Sequence, residues 1–169
     1  MKPYELKTLT DLVRADIQTL GFDQADHRLS RRTRSYIGYR LPVDEGNLVR
    51  WLKKEKMPSK FEDDWDRIRP HLDRCAEMAK EDPESRRLVL FNDKDYHIHA
   101  QCFTQLHFLK DGSDEENRYV LVVTQRSGDL AKLDQDLIFF GNIASRWEKA
   151  AKTKVRRFVI NYGHIHYQL

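Results

Sequence analysis

Of the two cysteines, Cys102 is the one whose setting suggests covalent chemistry, and the segments around it in the chain make that suggestion specific. A cysteine reacts as thiolate, which nearby positive charge favours. The chain offers Arg126, within Gln125-Arg126-Ser127-Gly128-Asp129, and the pair Arg86-Arg87, within Glu81-Asp82-Pro83-Glu84-Ser85-Arg86-Arg87. Further along come an amide, Asn142 in Asn142-Ile143-Ala144-Ser145, and two imidazoles, His164 and His166, in Gly163-His164-Ile165-His166. Guanidinium forks match phosphate oxygens. A side-chain amide both donates and accepts, and an imidazole can meet a hydroxyl. Taken singly, each has a plainer reading: a small buried hydrophobe beside Phe103, surface arginines, a strand end with a turn. In this order they form a kit for holding a phosphorylated ligand with a hydrogen-bonding edge and a hydroxyl against a thiol.

The elements that must position these groups are a mixture of helices and strands. Leu6, Leu9, Leu12, Val13, Ile17 and Leu20 recur at helical spacing, and Gly21 marks the stop. A basic loop with five arginines between Arg28 and Arg40 leads into a strand-like run at 35–41. Residues 42–62 read as irregular, and 62–80 as helical with a kink or break at Pro70. Strand-like runs come next at 87–91, 101–109 and 118–125, with Asp111-Gly112-Ser113-Asp114 as a turn. Residues 142–152 read as helix, and 155–161 and 164–168 as strands. The fold class is α+β: one domain over 1–169, its largely antiparallel sheet covered by helices.

The 169 residues are enough for one core, 40% of them are hydrophobic, and no apolar run is long enough to span a bilayer. The net charge of +3, spread among 27 acidic residues, argues against bulk binding to nucleic acid, although the Arg28–Arg40 segment with Tyr36 and Tyr39 could meet phosphates and bases. Two cysteines give no disulfide framework, and the start of the chain lacks a secretory pattern; a cytoplasmic location is expected.

The ordered segments resemble the thymidylate synthases and their relatives, the pyrimidine nucleotide hydroxymethylases. The resemblance implies a thymidylate synthase-like fold and a homodimer in which Arg86 and Arg87 cross to the partner's nucleotide. It places Arg28, Arg126 and Ser127 on the phosphate of the same subunit, Cys102 on C6 of the pyrimidine and Asn142 on the base edge. His164, with His166 where the family has tyrosine, falls on the sugar, and Asp129 on assistance to the base or to a folate. The implied ligand is a pyrimidine nucleoside monophosphate. The implied reaction is transfer of a one-carbon unit to C5, hydroxymethyl favoured over methyl, with 5,10-methylenetetrahydrofolate as the cofactor.

The chain departs from that pattern mainly on the cofactor side. Phe103 follows the cysteine where the synthases have histidine, and Tyr162 replaces an aspartate. The family's long segment between the first strand and Glu81 is largely missing, and the chain ends at Leu169 without the segment that closes over folate. Extra residues lie around Ala131–Asp136. A nucleotide-binding module without catalysis is the alternative these losses favour. A third reading uses His97, His99, His164 and His166 as ligands for zinc or iron, since residues two apart on a strand share a face.

Overall fold

A computed structural model describes residues 1–26, 31–92 and 103–169. Helix α1 (Tyr4–Leu20) precedes strands β1 (Phe22–Asp26) and β2 (Arg31–Val43). A short helix α2 (Asn47–Leu52) and a 3-10 turn (Ser59–Phe61) lead to α3 (Glu62–Glu81). Strands β3 (Val89–Phe91), β4 (Phe103–Lys110) and β5 (Tyr119–Asp129) come next. A second 3-10 turn (Leu130–Lys132), helix α4 (Leu133–Ala151) and strand β6 (Val155–Gln168) complete the chain. The strands form one sheet in the order β1-β2-β6-β5-β4-β3.

Four of the five pairings are antiparallel and the β5–β6 pairing is parallel, so the sheet is mixed. The parallel pair is a consequence of α4. Parallel neighbours need a long crossover between them, and α4 supplies it. The carboxyl ends of β5 and β6 therefore lie at the same end of the sheet as the first turn of α4.

Alternation along the strands divides the sheet into two faces. The cross-strand row Leu90, Leu106, Val123, Ile160 and Leu41 is at most 6% exposed. This face meets the helices: Trp147 of α4 stacks on Phe108 of β4 at 4.3 Å between ring centroids, and its edge contacts Tyr119 at 4.8 Å. Tyr39 of β2 donates to Asp16 of α1 at 2.6 Å. The alternate row is Val89, His107, Val122, Val159 and Pro42, in which Val159 is buried, Pro42 is exposed and Val89 lines a groove with His71, Arg74 and Met78 of α3.

Several elements differ from the expectation set by the sequence. The helix expected from 142 begins nine residues earlier, at Leu133. The strands expected at 155–161 and 164–168 are one continuous strand through Gly163. α3 runs unbroken through Pro70, its buried stripe Ile68, Leu72, Cys75, Ala76 and Ala79 packed toward the core. That packing outweighs the one backbone hydrogen bond a proline removes. The segment expected to be irregular contains α2, and β1 pairs with β2 where only a basic loop was expected. In α1 the expected apolar positions Leu12 and Leu20 are 55% and 68% exposed, leaving Leu6, Val13 and Ile17 as its buried contacts.

Candidate functional site

The parallel register sets Ser127 beside His164 and Asp129 beside His166. At this end of the sheet a cavity of about 270 Å³ opens between β5, β6, the start of α4 and the 3-10 turn at Ser59–Phe61. Its polar wall comes from Lys60, Gln125, Ser127, Asp129, Asp136 and His166. Its apolar wall is aromatic: Phe61 stacks on Phe139 at 4.3 Å, and Phe103 tilts against the same ring at 5.5 Å. A larger groove of about 530 Å³ lies at the other end of α4. Many of its charges neutralise one another, Lys53 with Glu148, Arg118 with Glu45 and Arg156 with Glu45.

The polar wall is internally braced. Gln125, 3% exposed, donates from Nε2 to the Ser127 carbonyl at 2.9 Å and to Asp136 Oδ2 at 3.0 Å. Lys60 Nζ lies 3.8 Å from Asp136 Oδ1. Burial pushes the Asp136 carboxyl above the usual carboxylate range; Gln125 and Lys60 pull against that shift and Asp129 adds to it. Asp129 caps the following turn, accepting from the Ala131 amide at 3.0 Å. The His164 and His166 rings stack at 5.4 Å. Burial, then His166 and Arg126, holds His164 below its ordinary value and favours the neutral imidazole. Gly128 permits the close packing behind this wall, because a Cβ there would sit 2.5 Å from the Tyr162 ring.

Of the residues singled out from sequence, Ser127, Asp129 and His166 line the cavity; His164 stacks on His166 and feels the Arg126 charge, but neither His164 nor Arg126 is among the lining residues. Asn142 is not among the residues lining the cavity. Its amide donates to the carbonyls of Glu55 at 3.0 Å and Ile138 at 2.9 Å, tying α4 to the segment after α2. Arg86 and Arg87 are exposed at the β3 edge, where Arg87 stands beside His71 and Arg74. Carried along the strand registers, Arg87 lies level with Val120, two strands across and seven residues from Ser127. That is ~25 Å at ordinary strand spacings, so the pair does not serve the cavity of its own chain. Cys102, Arg28, His97 and His99 lie outside the described residues. Phe103, which lines the cavity, is the chain neighbour of Cys102.

Two wall residues carry no signal that the sequence alone makes plain: Lys60 and above all Asp136. Cys75 carries no chemistry here: it is buried in the core, and burial pushes its thiol up to about 11. Among the described residues no group of three or more His, Cys, Asp or Glu side chains could hold a metal. No helix among them is long and apolar enough to cross a membrane. The cavity is slightly below the ~300–1,000 Å³ typical of sites for drug-sized ligands. Comparison with known proteins matches no family model and no curated protein.

Proposed function

We propose that this protein binds a pyrimidine nucleoside monophosphate at the joint carboxyl ends of β5 and β6 and that Cys102 adds to C6 of the ring. The observation that carries this reading is the parallel β5–β6 register, which pairs Ser127 with His164 and Asp129 with His166 beside an aromatic-walled cavity, with the Arg126 charge acting on His164. Arg126 and Ser127 would hold phosphate, the histidines would meet the sugar hydroxyls, and the aromatic wall would flank the base. Addition of the thiolate at C6 forms a C–S bond and moves the ring electron pair onto C5 and O4, leaving C5 nucleophilic toward an electrophile. The class of electrophile named by the resemblance is a one-carbon unit; its donor is left open by the cavity.

Thermal shifts with UMP, dUMP, CMP, dCMP and a purine monophosphate, each with and without a reduced folate, test this. A ligand at a hundredfold excess over Kd contributes about 2.7 kcal/mol, which at this chain length is roughly 5–11 °C in Tm. A shift of that size with pyrimidines only is the expected result. Equal shifts with purines, or none at all, would overturn the ligand class.

The same reading includes a homodimer. The row Val89, His107, Val122, Val159 and Pro42 lies on the sheet face opposite the core row; Val159 is already buried, and a second copy would cover the more exposed Val89, Val122 and Pro42. Packing two such faces together would offer Arg86 and Arg87 a site to serve in the partner. Light scattering should give twice the chain mass at micromolar concentration, and Val122→Glu should return the monomer mass. A monomer in the wild type would remove the dimer and, with it, the assigned role of the two arginines.

A further inference from the structure

Three buried polar groups meet where the nucleotide reading puts the base. Asp136 is 9% exposed, Gln125 is 3% exposed and Tyr162 is 2% exposed. Gln125 uses its amide nitrogen on Asp136 and on the Ser127 carbonyl. The Tyr162 hydroxyl has no hydrogen-bonding partner among the described residues, and the Asp136 charge acts on it. A buried hydroxyl without a partner and a buried carboxylate with one amide donor are costly, and such arrangements persist at sites that complete their hydrogen bonds with a ligand.

The charged groups around Asp136 do not change this. Lys60 from the 3-10 turn, at 3.8 Å, and Lys132 favour the carboxylate, while Asp129 at the end of β5 opposes it. Asp64 of α3 and His166 of β6 line the same cavity. Burial exceeds each of these effects on the carboxyl. Asn142, whose amide would otherwise be the natural reader of the base, already donates to two backbone carbonyls.

We propose that the Asp136 carboxyl, held by Gln125, meets the hydrogen-bonding edge of the pyrimidine, and that nucleotide binding takes up a proton there. The inference rests on the nucleotide reading above. A carboxylic acid carries an O–H donor beside a C=O acceptor. In uracil it would donate to O4 and accept from N3–H; in cytosine it would donate to N3 and accept from the N4 amine. An ionised Asp136 would instead set a negative oxygen against O4 or the N3 lone pair. Both bases therefore call for the proton.

Calorimetric titration of the full chain with dUMP and with dCMP, in buffers of different ionisation enthalpy between pH 6 and 8.5, reads the protons bound. The wild type should take up protons with both ligands, and its affinity should fall up to tenfold per pH unit once free Asp136 is ionised. Asp136→Asn keeps a donor beside an acceptor; it should bind within about threefold of the wild type at pH 6 and lose the Asp136 share of the uptake. The difference between the two proteins separates that share from protons taken by phosphate, His164 or His166. Asp136→Leu should lose at least tenfold in affinity.

The folded protein alone gives a second readout. A carboxyl raised on folding costs stability as pH rises from the usual carboxylate range through its folded value. The gain in Tm of Asp136→Asn over wild type should therefore be larger at pH 8 than at pH 4. If pyrimidine nucleotides bind and the Asn and Leu variants match the wild type in affinity and proton uptake, Asp136 does not read the base. If no pyrimidine nucleotide binds the wild type, the nucleotide reading falls and this inference with it.

Discussion

Replacing Cys102 by alanine is expected to abolish release of tritium from C5 of a bound pyrimidine nucleotide, a loss of 10³-fold or more, while affinity stays within about threefold. In the exchange the thiolate adds to C6, a solvent proton adds to the enolate at C5, the C5–T bond breaks to water, and elimination returns the thiolate. Every bond made is broken again, so neither a one-carbon donor nor a reductant is needed. Without the sulfur no C5 carbanion equivalent forms, and removing the nucleophile of a covalent mechanism costs most of the rate. In the proposed reading binding rests on other groups, Arg126 and Ser127 for phosphate and the hydrogen-bonded Gln125–Asp136 pair for the base. Exchange within tenfold of the wild type in the variant would exclude covalent addition. Tight pyrimidine binding with no exchange in the wild type would point instead to a nucleotide-binding module.

The residues legible in the sequence are those on strands. Gln125 to Asp129 and His164 to His166 sit in alternating runs whose one face is buried, and alternation is read directly from the chain. What no local pattern contains is that these two runs are parallel neighbours, because the pairing depends on the helix between them. The start of that helix is hidden for a physical reason. Leu137-Ile138-Phe139-Phe140 is apolar at four successive positions, with no 3.6-residue period, because this part of α4 is buried against both the sheet and the other helices. The acid and amide residues before it read as a loop, which makes Asp136 look like a solvated charge. The one sequence signal that exposes it is a carboxylate immediately preceding a run that must be interior. Asn142 shows the converse. Its position on α4 matches the resemblance, but which way a helical side chain turns is decided by packing, and here the Glu55 carbonyl takes its amide. Pro70 and Gly163 look like breaks because both are poor formers of their elements; the long-range contacts of α3 and β6 override those preferences.

Gly141→Ala is expected to destabilise the fold by about 2–4 kcal/mol, although alanine is the better helix former. In the middle of α4 the exchange gains about 1 kcal/mol of helix propensity. Against this stands the packing of α4 on α2. A Cβ on Gly141 would overlap the carbonyl carbon and oxygen of Leu52 and lie 2.9 Å from the Leu52 Cβ. These are backbone atoms at the end of α2, and Leu52 is itself 0% exposed, so no flexible side chain can swing away. Relief requires the two helices to separate, and overpacking of a rigid contact costs more than the propensity returns. For a chain of this size the net loss corresponds to a fall in Tm of roughly 4–16 °C. Separation would also strain the neighbouring Asn142–Glu55 hydrogen bond and shift the start of α4, which carries Asp136 against Gln125. The variant should therefore lose nucleotide affinity in proportion to its loss of order around the cavity, even though Gly141 is not among the residues lining it. Thermal melting together with nucleotide titration at about 15 °C, near the temperature of maximum stability for ordinary domains, measures both. A Tm equal to or above that of the wild type would show that α2 and α4 are not packed as closely as Gly141 requires.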